Sequence, residues 1–314
     1  MVLLTLLLFS CNNQREDQTN PFQRMDNYNG NFELSIKDRL LDTPSIIIDI
    51  LSQLDNVNNY SSYELNDQEK QIFMDYFELL PLRFKNIITE KVFGIYFVNN
   101  FLGGGYTLPI FDNDGNMYMA LFFNPEIMNQ KICVWINFRD NSAFTINDSK
   151  ISVNIEINSQ FLALIHTLVH EASHVYDYYN YVTPYTEPFL RSNKTIFPTE
   201  FVKGIWINYN ETMDEYNFIQ RENIYSYDLG ERINKKYVIE IYQALKQPPF
   251  SSIYGSKNWA EDFAESFTWW YLFNYFNINY ITKIFDDENL MFTFNPNENE
   301  LVKARYKIYE SLLE

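Results

Sequence analysis

The 314-residue chain has three histidines in all, His166, His170 and His174, and they fall at i, i+4 and i+8. The second and third frame His170-Glu171-Ala172-Ser173-His174, an H-E-x-x-H pattern. One turn of an α-helix rises about 5.4 Å, so residues four apart share a face and both imidazoles can reach one ion. Glu171 falls on the adjoining face, where a carboxylate can hold a water beside that ion and take its proton. The expected chemistry is metal-assisted hydrolysis with one Zn2+ per chain. His166, one turn earlier, is required by no metal pattern and is expected as a hydrogen-bonded core histidine.

The third ligand must come from elsewhere. No histidine follows His174, and the positions where a metzincin would continue its motif hold Asp177 and Asn180. A carboxylate is left, giving two His and one acid with a fourth position open to water. The best source is Asn258-Trp259-Ala260-Glu261-Asp262-Phe263-Ala264-Glu265-Ser266-Phe267. Glu261 and Glu265 are four apart, so they face the same way on a helix. One can bind the ion while the other orients a ligand histidine. Aromatic and alanine residues interleave the pair, as expected for a buried helix rather than a solvated face. With no histidine left to stabilise an oxyanion, a Tyr hydroxyl or an Arg must supply that donor.

The segment Tyr254-Gly255-Ser256-Lys257-Asn258-Trp259-Ala260-Glu261-Asp262-Phe263-Ala264-Glu265-Ser266-Phe267 resembles the C-terminal catalytic segment of anthrax lethal factor and its relatives, which include clostridial Pro-Pro endopeptidases. The H-E-x-x-H helix, continuing His174-Val175-Tyr176-Asp177-Tyr178-Tyr179, is similar to theirs as well. Those proteins are gluzincin zinc endopeptidases. The resemblance implies that Glu261 is the third zinc ligand, Glu265 the nearby supporting carboxylate and Tyr254 the tyrosine that assists catalysis. It covers Ile165 to Asn180 and Tyr254 to Phe267. The stretch between His174 and Glu261 is longer than in those relatives.

Several elements must position these residues. The H-E-x-x-H stretch reads as a helix over Gln160 to Tyr179 with Asn158 or Ser159 as its cap, apolar nearly all round and therefore buried. A second helix follows Asn258 and runs toward Phe273. Before them come helices over Ile36 to Leu54 and Asp67 to Leu80, the latter opened by Asn66-Asp67 and closed by Pro81. Strands are expected at Val92 to Val98, Met117 to Phe123 and Ile132 to Phe138, with Asn113-Asp114-Gly115-Asn116 as a hairpin turn. Ile151 to Ile157 alternates polar and apolar residues, as an edge strand does. Cys133 is expected as a buried thiol in a strand. The only glycine cluster, Gly103-Gly104-Gly105, reads as a flexible turn. Residues 179–250 are rich in Tyr and Asn with short helices, and an amphipathic helix spans Glu300 to Leu312. Strands precede helices, which gives an α+β class: a small, mostly antiparallel sheet followed by a helical part carrying the zinc site, in a gluzincin-like domain over 32–314.

Composition narrows the partners. Apolar residues make up 46% of the chain, enough for a sizeable core. With 24 basic against 41 acidic residues the net charge is −17, and no basic block offsets it, so nucleic acid is not an expected partner. The expected partner is a protein or peptide substrate. The apolar run Val2 to Phe9 ends at Ser10-Cys11, the look of a bacterial lipoprotein signal, although no Lys or Arg precedes it. Residues 1–11 are then a signal peptide including the lipidated Cys11, and 12–31 a polar tether. The expected location is the bacterial cell envelope, with the protein lipid-anchored to a membrane and facing the periplasm or exterior. Two other functions fit the same motif: an inactive zinc-binding lipoprotein serving as an interaction module, and a zinc hydrolase of non-peptide amides. Glu171 argues against the first, because a structural zinc site needs ligands and not a base.

Overall fold

The computed structural model describes residues 20–145, 150–184 and 198–314. Cys11 and the apolar run before it lie outside the described residues. The chain divides into two compact units, one ending at Asn129 and the other spanning Gln130–Glu314. The architecture is mixed α+β.

In the first unit, residues 20–28, expected as tether, form 3-10 turns that bury Phe22 and Tyr28. The elements that follow are β1 (Leu40–Leu41), α1 (Ser45–Asp55), β2 (Ser61–Ser62), α2 (Asp67–Phe77), α3 (Leu82–Lys91), β3 (Val92–Asn99), β4 (Gly105–Phe111) and β5 (Met117–Phe123). The expected helix over Ile36 to Leu54 starts only at Ser45. Pro44 disfavours helical backbone in the residue before it, so the chain runs through a short strand first. The sheet order is β1-β3-β5-β4, with β2 also on β3. It is mixed rather than mostly antiparallel, since β1 and β5 both pair parallel to β3. The β4–β5 hairpin turns where expected, with Asp112 Oδ1 accepting from Asp114 N at 2.9 Å and Asn116 N at 2.8 Å, and Gly115 at φ +83°.

The second unit holds every candidate metal-ligating and catalytic residue. It comprises α4 (Ile132–Asn141), β6 (Ile151–Ile157), α5 (Leu164–Asn180), α6 (Val238–Leu245), α7 (Trp259–Phe276), β7 (Tyr280–Asp286), β8 (Asn289–Phe294), α8 (Glu300–Ala304) and α9 (Tyr306–Leu313). The strand expected at Ile132 to Phe138 is a helix. Its buried residues, Ile132, Trp135, Ile136, Arg139 and Asp140, recur at helical rather than alternating spacing. Cys133 therefore lies on a helix, half-buried and unpaired. Asn137 couples α4 to β6 as a strand would: its Nδ2 donates to Ile155 O at 2.6 Å and its Oδ1 accepts from Ile155 N at 2.8 Å. Strand β6 is an edge of the antiparallel sheet β6-β7-β8. The expected terminal helix is split in two at Arg305. Among the described residues, no helix is long and apolar enough to cross a membrane.

Candidate metal centre

Helix α5 begins at Leu164, four residues later than expected; Ser159 Oγ instead accepts from Phe161 N in the preceding turn. The helix is buried from Leu164 to Ser173, which brings its histidines against α7. Helix α7 opens at the expected cap, where Asn258 Oδ1 accepts from Glu261 N at 2.9 Å. That bond fixes the backbone of Glu261 in the first turn, directly opposite the histidines of α5.

Three donor atoms converge there. His170 Nε2 lies 3.2 Å from His174 Nε2 and 3.1 Å from Glu261 Oε2, and His174 Nε2 lies 3.6 Å from the same oxygen. A tetrahedral zinc ion with bonds of about 2.0–2.1 Å holds its donors about 3.3–3.4 Å apart. The spacing therefore fits one ion, and two imidazoles with one carboxylate suit zinc. His170, His174 and Glu261 form a possible metal-binding triad. Burial pushes the Glu261 carboxyl up, but the two imidazoles outweigh it and hold it below the usual carboxylate range. Burial pulls His174 down, yet Glu261, Glu171 and Asp177 leave it raised to about 9. Three carboxylates thus act on His174, one of them the triad's own Glu261. Asp177 anchors the end of α5 by accepting from Thr183 N at 2.6 Å and Thr183 Oγ1 at 2.5 Å.

Glu171 is buried, and its charge acts on both His174 and Tyr254. Tyr254 sits at the triad, its ring centroid 5.9 Å from that of His170. Burial first, then the charge of Glu261, pushes its hydroxyl well above the usual tyrosine value, so it remains a proton donor. The loop carrying Tyr254 approaches α7 closely because Gly255 has no side chain: a Cβ there would stand 3.1 Å from Glu265 Cβ.

Glu265 is fully buried one turn beyond Glu261. Its Oε1 faces His170 Nδ1 at 3.6 Å and His166 Nε2 at 3.0 Å. Its Oε2 accepts from Ser252 Oγ at 2.7 Å and Trp269 Nε1 at 2.9 Å. Ser252 Oγ in turn accepts from Gly255 N at 3.0 Å, tying the Tyr254 loop to the same carboxylate. His166, expected as a hydrogen-bonded core histidine, is buried and faces Glu265, the carboxylate that also faces His170. Burial lowers it to about 4, with Glu265 pulling the other way, so it is neutral at pH 7.

The sequence reading brought together His170, Glu171, His174, Tyr254, Glu261 and Glu265, but it missed Arg139. This guanidinium, 1% exposed, reaches Glu265 with both terminal nitrogens, Nη1 to Oε1 at 2.5 Å and Nη2 to Oε2 at 3.3 Å. Its Nε donates to Asp140 Oδ1 at 2.7 Å, and Asp140 Oδ2 accepts from Tyr280 OH at 2.8 Å. The available signal was the adjacent Arg139-Asp140 pair at the end of an apolar segment, where a buried charge must bring its own partner. Tyr227 was also missed; its ring lies 6.2 Å from that of Tyr254. No protein-family model, no curated protein and no solved structure matches this chain.

Proposed function

We propose that this protein is a zinc-dependent endopeptidase with a gluzincin-like catalytic unit, hydrolysing peptide bonds of protein substrates outside the cytoplasm. The observation that carries the reading is the convergence of His170 Nε2, His174 Nε2 and Glu261 Oε2 at 3.1 to 3.6 Å. Glu171 and Tyr254 beside that triad supply what a purely structural site would not need. Zn2+ held by the three side chains supplies Lewis-acid polarisation of a carbonyl and a water of lowered pKa. Glu171 accepts the proton of the attacking water and hands it to the departing amine. The Tyr254 hydroxyl donates to the carbonyl oxygen as negative charge develops there. Glu265 faces Nδ1 of His170, which favours the tautomer that leaves Nε2 free to ligate.

Metal analysis beside cleavage of a peptide library tests the reading. One zinc per chain is expected in the parent, with most of it lost in His174→Ala. A library left intact by zinc-loaded parent protein would turn the reading toward a binding module. The envelope location rests on Cys11, and mass spectrometry of membrane-extracted protein should find a diacylglycerol-modified Cys11; an unmodified, freely soluble chain beginning at Met1 would refute it.

A further inference from the structure

The guanidinium of Arg139 touches both arms of the candidate centre. Two of its nitrogens grip the Glu265 carboxylate, and its central carbon lies 4.8 Å from the centroid of the Tyr254 ring. We propose that Arg139 is a positioning residue that sets His170 through Glu265 and holds the Tyr254 ring by direct contact over its face. The proposal rests on the zinc reading above and adds to it a residue from a separate helix.

The geometry of one oxygen carries the argument. Glu265 Oε1 is shared by Arg139 Nη1 at 2.5 Å, His166 Nε2 at 3.0 Å and His170 Nδ1 at 3.6 Å. The strongest of these contacts is charge-assisted and comes from a planar fork whose Nε–H is fixed on Asp140. Arg139 therefore fixes where Oε1 stands, and Oε1 faces the nitrogen of His170 opposite its metal-facing Nε2. The same plane meets the tyrosine ring, where a cation over the π-face is attractive. Lysine offers a single point charge on a flexible stem, so it cannot grip two carboxylates and cover a ring at once.

The test is Arg139→Lys in the full chain, read first by zinc affinity in competition with a chromophoric chelator and by the visible spectrum of the Co2+-loaded protein. Affinity should fall about 10–100-fold, as for loss of groups that orient a ligand histidine, and the Co2+ bands should shift. In a Glu265→Gln background the same substitution should cost several-fold less, since its route to the metal has been cut. For the second arm, kcat at saturating zinc should fall in Arg139→Lys by less than in Tyr254→Phe, and adding Arg139→Lys to Tyr254→Phe should cost little more. Should Arg139→Lys fail to fold, the charge-balanced Arg139→Gln/Asp140→Asn pair carries the same comparison. A variant that melts earlier but keeps parental zinc affinity and Co2+ spectrum overturns the proposal, as does an effect undiminished in Glu265→Gln. Absence of zinc binding by the parent would instead overturn the reading of the site itself.

Discussion

Glu265 Oε1 faces Nδ1 of His170 at 3.6 Å, across the imidazole from the Nε2 that stands 3.1 Å from Glu261 Oε2. The ring is thus held between two carboxylates four residues apart on α7, one within the triad and one behind the ring. Their different places predict different consequences of losing them.

Glu261→Ala should abolish tight zinc binding, because it removes a donor. Glu265→Gln should weaken binding by about 10–100-fold while leaving a zinc protein behind. Zinc titrations against a competing chelator check the order; the reverse ranking would mean that ligand and supporting carboxylate are exchanged.

Glu171→Gln should keep the fold and the zinc. The amide has nearly the same shape but cannot accept the water's proton, and loss of a general base costs on the order of 10²–10⁴-fold in rate. Turnover of a library-derived peptide, measured on a variant of verified zinc content, decides; undiminished activity would assign the base elsewhere.

Tyr254→Phe should leave zinc affinity nearly unchanged. Its loss should fall on kcat rather than KM, because the donor is needed as charge develops, and removing one such donor costs about 10²–10³-fold. A lowered melting temperature with intact per-molecule activity would make Tyr254 a packing residue instead.

His166 should make the metal-free protein sensitive to acid. Its folded value of about 4 lies below the unfolded value near 6.5, so the unfolded chain binds the proton first as pH falls. The stability it contributes is present above pH 6.5 and is lost as pH falls toward 4. Between pH 7 and 5 the loss is about 2 kcal/mol, and His166→Gln should remove that share of the slope. Urea unfolding of parent and variant at both pH values measures it, and equal slopes would show that His166 takes up its proton freely in the folded state.

Much of the site was legible because its signals are local. Four-residue spacing put His170 and His174 on one face, and Asn258 announced the helix that carries Glu261 three residues later. Arg139 was hidden for two reasons. Ile132 to Phe138 is seven residues of mostly branched and aromatic character, too short for alternation and helical period to be told apart. Arginine is also usually exposed, and its partner Glu265 lies 126 positions downstream, a separation at which sequence spacing carries no signal. The mixed sheet of the first unit escaped for a related reason: β3 pairs with β5 by passing over β4, and pairing partners are not written in the strands themselves.

The ion-pair cluster behind His170 draws Arg139 from α4, His166 from α5, Ser252 from a loop, Glu265 from α7 and, through Asp140, Tyr280 from β7. Each of these charged or polar groups is costly to bury until the others arrive, and the closing contact spans 140 residues of chain. Assembly of the centre therefore requires these long-range pairings to be in place. A chain still emerging from a ribosome carries the histidines but no formed centre. By the same dependence, detachment of α4 would strip the groups behind His170 of their mutual neutralisation together.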